Sequence, residues 1–322
     1  MSGTSLAPEE PGELLRMIVN RTIELAPLRT VATKAIQMAE DERSAAMDLA
    51  AVLSSDQALT AKLLKLSNSA YYGYARRIGN VREAVILLGM RTVRSVAIAS
   101  SIIDAFNVEE IDGFDRDLFW AHCVCTGLVA EAIAKETRIA RPEDAFTAGV
   151  LHDVGKLAMM LAEPRRFGAA VRLVTRDGLN WHDAEVATFG VGHQYIGSRL
   201  AQRWKFPEPL VSSIKHHHDP VRPTIDSLND VVAAANLACN RAGLACGFDW
   251  TQEPERWARA PLPPRADDAL DRVNGGIRAI EDRARAFLIH VSSKPPRWYH
   301  GMDEPDEDED GGEMVGGDID AA

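Results

Sequence analysis

Apolar residues recur along this chain at helical spacing, whereas no segment alternates apolar and polar residues as a half-buried strand would. The clearest example follows Asp56, a favourable residue for a helix N-cap. Its apolar positions lie at i, i+4, i+7 and i+11, on one face of a helix: Leu59, Leu63, Leu66 and Ala70. The pattern predicts an all-α fold of two packed helical lobes, joined near the turn at Asp112-Gly113.

The acidic residues are concentrated at the C-terminus. The chain has a formal net charge of −11, but ten acidic residues lie between Asp303 and Asp320, and 301–322 contains no Lys or Arg. The remaining body is therefore nearly neutral, at about −1, and lacks the electrostatic footprint of a nucleic-acid-binding protein. Residues 301–322 cannot bury a core and are predicted to be a disordered acidic tail.

Neither the cysteines nor the N-terminus points to secretion. The four cysteines form no C-x-x-C pair, which excludes a zinc-finger pattern and favours reduced thiols: Cys123, Cys125, Cys239 and Cys246. Residues 1–13 carry three glutamates and no basic residue or apolar core, unlike a signal peptide. No stretch approaches the ~18 apolar residues of a membrane span. These features predict a cytoplasmic protein that does not insert into a membrane.

Seven of the nine histidines lie between residues 122 and 218. The adjacent pair His152-Asp153 interrupts an apolar segment that is predicted to be one helix over about 143–162. Burying an imidazole and a carboxylate is costly unless they are paired or bind a metal. Lys156 lies three residues beyond Asp153, where it could form an ion pair with that carboxylate.

Other histidines lie on separate predicted helices. His122 and His193 each lie on an apolar helical face, and the run His-His-His-Asp at 216–219 closes another helix. Imidazoles from several helices, together with a carboxylate, are typical ligands of transition metals. Hydrogen-bonded core histidines would give the same pattern, so the residues alone leave both a metal site and a structural role open.

These motifs resemble the HDOD family, a regulatory branch of the HD metal-dependent phosphohydrolase superfamily. The resembling motifs of the first half are residues 53–59, 62–73 and 78–89. Those of the second half are residues 120–122, 151–157, 192–197 and 217–220. The resemblance implies an all-α, two-lobed helical bundle in which an N-terminal helical lobe packs on an HD-like helical core.

The resemblance also divides the chain. It implies an HDOD domain over 25–243, with an N-terminal lobe at 25–111 and an HD-like lobe at 112–243. Outside this domain, residues 1–24 are predicted to be a leader and a first helix. Residues 244–300 are predicted to be an irregular segment followed by one C-terminal helix at about 267–290, before the acidic tail at 301–322.

The resemblance to catalytic HD proteins implies two adjacent metal positions in this chain. The first would be held, together with a late Asp, by His122, His152 and Asp153. The second would be held in part by His193, His217 and His218. The implied cofactor is a divalent metal, iron or manganese, or none where the site has degenerated.

Two departures from the catalytic pattern count against hydrolysis. Asn236 occupies the place of the late Asp, and a neutral amide is a weaker metal ligand than a carboxylate. The Gly-Tyr-Pro element of the cyclic-di-GMP phosphodiesterase branch is absent, since the chain reads Val-Arg-Pro at 221–223. If catalysis were retained, Lys156 could contact a phosphate.

Two functions from different classes follow. The resemblance favours a signal-transduction module that acts by binding a partner or ligand, without appreciable catalysis. The partner would be an unidentified signalling protein. The oligomeric state is left open. The alternative is a metal-dependent phosphohydrolase acting on a nucleotide or another phosphoester. A further carboxylate completing the site would favour the enzyme. The candidates for that carboxylate are Asp183, Glu185 and Asp230.

Overall fold

The computed structural model describes residues 11–38, 42–69, 72–73, 76–106, 111–244, 261–293 and 296, and these residues form helices without any β-strand. The all-α prediction is therefore confirmed. The first half contains α1 Pro11–Leu25, α2 Thr30–Gln37, α3 Glu42–Ser54, α4 Gln57–Asn68, α5 Val81–Leu88 and α6 Met90–Ala105. The second half contains α7 Arg116–Thr137, α8 Pro142–Leu151, α9 Val154–Ala162, α10 Pro164–Thr175, α11 Trp181–Phe189, α12 His193–Arg203, α13 Glu208–His216, α14 Leu228–Arg241, α15 Pro264–Asp271 and α16 Gly276–Val291.

The N-terminal lobe is built from α2 to α6, with caps that the sequence anticipates. Asp56 accepts a hydrogen bond from the Leu59 backbone N–H at 3.0 Å, which satisfies one of the free donors at the start of α4. The predicted apolar face of α4 is buried at Leu59, Leu63 and Leu66, while Ala70 lies outside the described residues. Gly89, at φ +88°, allows the chain to bend by 120° between α5 and α6.

Helix α7 is the centre of the second lobe. It packs against α8, α14, α15 and α16, and its approach to α8 is close enough that a Cβ at Gly149 would lie 2.6 Å from the Cα of Gly127. Sequence alone predicts no apolar stretch of membrane length. Among the described residues, α7 is the one single helix long and apolar enough to cross a membrane, but 83% of its apolar window is buried inside the protein. Its composition is that of a core helix.

Several helix–helix contacts join the two lobes. Helix α6 packs on α8, where the Ser95 hydroxyl donates to the Glu143 carbonyl at 3.0 Å. Helix α16 packs on both α4 and α7, and its terminal Val291 carbonyl accepts from Ser100 at 3.2 Å. Helix α1 packs on α9 and α12 of the second lobe. Both ends of the described chain therefore brace the lobe that carries the histidines.

The C-terminal helix differs from the prediction. Instead of one helix over about 267–290, the chain forms α15 and α16, separated by a turn. Gly275 and Gly276 adopt φ values of +84° and +60°, which a continuous right-handed helix does not allow. The predicted leader at 1–10, part of the predicted irregular segment (245–260) and the predicted acidic tail at 301–322 lie outside the described residues.

Candidate metal centre

The His152-Asp153 pair lies at a break between helices. Sequence periodicity predicts one helix over about 143–162, but α8 ends at Leu151 and α9 begins at Val154. The His152 ring donates from Nδ1 to the Gly149 carbonyl at 2.6 Å, which is the carbonyl that a continuous helix would pair with the Asp153 N–H. The break turns both polar side chains into the interior, where each is at most 1% exposed.

Two glycines allow α9 to cross α12 at close range. A Cβ added to Gly155 would lie 2.0 Å from the His193 carbonyl oxygen and 2.8 Å from the Gly197 backbone nitrogen. The first residue of α12 is His193, so the crossing places this imidazole beside Asp153 at the start of α9. Helix–helix packing thus forms the site, and the glycines are part of it.

Asp153 is the centre of the cluster. Its Oδ1 lies 2.9 Å from His193 Nε2 and 3.4 Å from His217 Nε2. Its Oδ2 lies 3.4 Å from His152 Nε2 and 2.6 Å from the Lys156 ammonium nitrogen. The predicted ion pair between Lys156 and Asp153 is therefore present in the structure, and Lys156 is only 2% exposed.

The cluster contains two overlapping groups of candidate ligands. Within each group, one ligand atom from each residue lies within 4.8 Å of the others. The first group is Asp153, His193, His217 and His218. The second group is His122, His152 and Asp153. Asp153 belongs to both, so the structure brings six of the sequence-predicted residues to one place.

Four imidazoles have their Nδ1 atom engaged away from the centre. The Nδ1 partners are the Leu244 carbonyl for His122 at 3.0 Å, the Gly149 carbonyl for His152 at 2.6 Å, the Ile214 carbonyl for His217 at 2.7 Å and the Glu185 carboxylate for His193 at 2.7 Å. An acceptor at Nδ1 fixes the tautomer with the proton there and leaves the Nε2 lone pair for a ligand. This is the usual arrangement of metal-binding histidines.

A cation fits the atoms at the centre. The Nε2 atom of His193 lies 3.2 Å from that of His217 and 3.1 Å from that of His218, so lone pairs converge that need a proton or a cation between them. The buried Nε2 of His152 has no hydrogen-bond partner among the described residues. Imidazole nitrogens and one carboxylate match the borderline ligand preference of manganese, iron or zinc.

The protonation states of Asp153 and of three rings suit a cation, whereas a proton competes with the cation at His193. Burial lowers the pKa of His122 to about 4, and it lowers the pKa values of His152 and His217. These rings are therefore neutral at pH 7, as metal ligation requires. Burial raises the pKa of Asp153, but His152, Lys156 and His193 together outweigh that effect and hold the pKa well below its usual value. Burial lowers the pKa of His193, whereas Glu185 and Asp153 outweigh it and raise the pKa.

His122 should make the stability of the metal-free protein depend on pH. Its pKa lies at about 4 in the folded state, below the usual 6.5, so between these values the unfolded chain binds a proton that the folded chain does not. This stability is present above pH 6.5 and is lost as the pH falls towards 4. In urea unfolding with EDTA, wild type should lose about 2 kcal/mol more than His122→Gln between pH 7 and pH 5. An equal loss in both proteins would contradict the buried neutral state of His122.

A cavity of about 640 Å³ opens onto the cluster. The predicted site residues that line it are His122, Asp153, Lys156, His193, His218 and Asn236. The rings of His152 and His217 are buried at 0% and 2% exposure and complete the two groups from the interior side. The cavity is large enough for a small molecule.

Asn236, the residue in the place of the late Asp, lies beside His122. Its side chain hydrogen-bonds the His122 ring, and its Oδ1 accepts from Asn240 Nδ2 at 3.0 Å. The amide therefore supports a ligand and lines the cavity without adding a negative charge.

None of the three further carboxylates joins either group of candidate ligands. Asp183 bonds to Asn180 at the start of α11, and Asp230 bonds to Ser227 at the start of α14. Glu185 is fully buried but lies behind His193, on the Nδ1 side of the ring. Sequence reasoning considered Glu185 only as a residue completing the centre and missed its contact with His193. The Leu244 carbonyl behind His122 was also missed, because a backbone acceptor leaves no residue-type signal.

Comparison with known proteins agrees with the fold. The model of the HDOD domain family matches residues 25–220. A protein from Treponema pallidum (strain Nichols), which is uncharacterized, is 30% identical over 253 residues, covering 72% of this chain and 49% of its own length. The chain thus spans about half the length of this curated relative.

Two crystal structures are similar over nearly their whole length. An HDOD domain protein of unknown function from Geobacter sulfurreducens is 25% identical, with a TM-score of 0.68, covering 87% of this chain and 100% of its own. A Shewanella amazonensis SB2B protein, named provisionally as a phosphohydrolase, is 25% identical, with a TM-score of 0.62, covering 83% and 98%.

Proposed function

The chain belongs to the HDOD domain family, and we propose that it is a signal-transduction module that binds one divalent cation at the Asp153 centre and acts by binding a partner, without appreciable phosphoester hydrolysis. The partner proposed is another signalling protein in the cytoplasm. A bound cation would supply Lewis acidity, and its bonds to side chains at several helix ends would hold those ends together. The residues of the chain determine how many cations the centre can hold.

The observation that carries this proposal is the shortage of negative charge. In the described cluster, Asp153 is the one carboxylate that belongs to both ligand groups. Its Oδ2 is already paired with the buried Lys156 ammonium at 2.6 Å. Two divalent cations would bring four positive charges beside Lys156, against Asp153 and the buried Glu185 carboxylate behind His193, and burying uncompensated charge is costly. One cation is tolerable, whereas the pair used in two-metal hydrolysis is not.

The group with His193 is the better of the two cation positions. It offers four ligands, which is the usual number for a closed site, and it includes Asp153 Oδ1, which lies 2.9 Å from His193 Nε2. The other group offers three ligands. The residue beside it, Asn236, is neutral and adds no carboxylate. A cation at the first position would link the α8–α9 break to the start of α12 and the end of α13. It would then stabilise the packing of the second lobe by mass action.

Manganese titration of Asn236→Asp tests this charge argument. By calorimetry at pH 7, wild type should bind one equivalent of Mn²⁺, and Asn236→Asp should bind a second equivalent or bind the first at least about tenfold more tightly, because a carboxylate replaces a neutral amide. The matched control is Asn240→Asp, which adds the same charge one helical turn away. Two equivalents bound by wild type, or none, would contradict the proposal, as would equal effects of the two substitutions.

A specific observation also supports the alternative, a metal-dependent phosphohydrolase acting on a nucleotide or another phosphoester. The cavity of about 640 Å³ reaches Asp153 and Lys156, so a small phosphoester could approach the centre. The Lys156 ammonium would then have to leave Asp153 and contact a phosphoryl oxygen instead. The name of the Shewanella amazonensis relative agrees with this class. Turnover by the loaded protein separates the two functions.

A further inference from the structure

We infer that Glu185 is the positioning residue that orients His193 towards Asp153 and the cation; the inference rests on the proposed cation centre. Glu185 lies on α11 and is 0% exposed. Its Oε2 accepts the backbone N–H of His193 at 2.9 Å and the ring Nδ1–H at 2.7 Å, and its Oε1 lies 2.8 Å from the same Nδ1. One buried carboxylate thus holds both the main chain and the ring of one residue.

The backbone contact explains why an acceptor is needed here and why a negatively charged one is favoured. His193 is the first residue of α12, and Gly192 at the N-cap provides no side-chain acceptor. The first N–H groups of a helix have no partner within the helix, and the positive end of the helix dipole attracts negative charge. Glu185, eight residues earlier across the turn at 190–192, supplies the acceptor that Gly192 lacks. The same contact fixes where α12 begins relative to α11.

The ring contact determines which His193 nitrogen can act as a ligand. With Nδ1–H donated to Glu185, Nε2 is left facing Asp153 Oδ1 at 2.9 Å and His217 Nε2 at 3.2 Å. A carboxylate behind a ligand histidine also makes its lone pair more basic. The other Nδ1 partners around the centre are backbone carbonyls, so His193 is the one ring of these four with an anionic support. The negative charge of Glu185 therefore compensates in part for the shortage of carboxylates among the ligands.

The substitution Glu185→Gln separates positioning from simple burial. Gln has nearly the same shape, and its carbonyl oxygen can still accept the His193 backbone N–H. Its NH₂ group would take the place of Oε1, 2.8 Å from Nδ1, and would bring a donor against Nδ1–H while the negative charge is lost. The proton would then be held less firmly on Nδ1, and the Nε2 lone pair would be less basic towards the cation. Asp183→Asn is the control, since Asp183 lies on the same helix, is exposed and bonds to Asn180.

The first readout is Co²⁺ binding by the full chain, followed by its visible absorption. Glu185→Gln is expected to bind Co²⁺ about 10- to 100-fold more weakly than wild type and to alter the absorption bands, with an unchanged far-UV circular dichroism spectrum. Asp183→Asn should match wild type in both. Wild-type affinity and spectrum in folded Glu185→Gln would overturn the inference. If that variant does not fold, Glu185→Asp, whose carboxylate is one methylene further from the ring, should bind at least about threefold more weakly; unchanged affinity would overturn it.

The second readout needs no metal. In EDTA, at a pH above the raised pKa of His193, the ¹⁵N NMR signals of its ring should show the proton on Nδ1 in wild type and move in Glu185→Gln, while Asp183→Asn leaves them in place. Identical ring signals in wild type and Glu185→Gln would overturn the inference. If wild type binds no Co²⁺, the proposed cation site fails, and these signals alone decide whether Glu185 orients His193.

Discussion

Gly155→Ala is expected to destabilise the protein by at least about 3 kcal/mol, a larger loss than most core substitutions cause. The added Cβ would lie 2.0 Å from the His193 carbonyl oxygen and 2.8 Å from the Gly197 nitrogen. Both neighbours are backbone atoms of α12, so no side-chain rotation can relieve the overlap. The helices must separate, which moves His193 away from Asp153. Urea unfolding in EDTA measures the loss, and Mn²⁺ affinity should fall with it.

Gly168→Ala is the matched control for this substitution. Gly168 lies within α10, where a Cβ would meet only Arg172 Nη1 at 3.5 Å and Ile111 Cγ2 at 3.8 Å, both ordinary contacts. Because Ala favours the helix over Gly, this variant should be more stable by about 0.5–1 kcal/mol. The same chemical change should therefore have opposite signs at two buried helical glycines. A Gly155→Ala protein with wild-type stability would show that α9 and α12 do not cross as closely as described.

Lys156→Met is expected to destabilise the metal-free protein by about 3–5 kcal/mol. The substitution removes the ammonium that lies 2.6 Å from Asp153 Oδ2 and leaves a buried carboxylate short of positive charge. A cation should reverse the effect, because Asp153 Oδ2 becomes available as a ligand. Mn²⁺ should therefore raise the unfolding midpoint more in Lys156→Met than in wild type.

Lys34→Met controls for the loss of a lysine. Lys34 is exposed on α2, and the substitution should change the free energy of unfolding by at most about 0.5 kcal/mol. Urea unfolding with EDTA and then with Mn²⁺ compares the three proteins. If Lys156→Met were as stable as Lys34→Met in EDTA, Asp153 would not depend on Lys156. An equal Mn²⁺ response in wild type and Lys156→Met would show that Lys156 does not compete with the cation.

The helical architecture could be predicted from local signals. Apolar spacing and an N-cap are encoded within a few residues, as at Asp56 and the α4 face. The helix break at His152 could not, because the segment around it is apolar and helical by composition. Its cause is a side chain competing for a backbone carbonyl, which periodicity does not register. The division of the C-terminal helix at Gly275 was missed for a similar reason, since glycine also occurs inside helices.

The residues of the candidate centre could be named from the sequence only as a set. Their types suggest shared chemistry, but which oxygen of Asp153 faces which imidazole depends on the crossing of α9 and α12. The hydrogen-bond acceptors at the Nδ1 atoms of the rings could not be predicted for another reason. Three of the four Nδ1 partners are backbone carbonyls, which every residue has. Glu185 is the one acceptor of the four that is a side chain and could be recognised by residue type. It lies eight residues before His193, however, and the sequence does not define the path of the turn between them.

An assay of the loaded protein tests most directly whether the Asp153 centre holds one cation and does not hydrolyse phosphoesters. The full chain is purified, loaded with Mn²⁺ or Fe²⁺, and incubated with cyclic dinucleotides, nucleoside monophosphates and a generic phosphodiester. With one equivalent of metal bound, turnover should not exceed that of the same concentration of free metal. Turnover that is lost in folded His152→Ala and Asp153→Ala proteins would contradict the account and assign the chain as a metal-dependent phosphohydrolase.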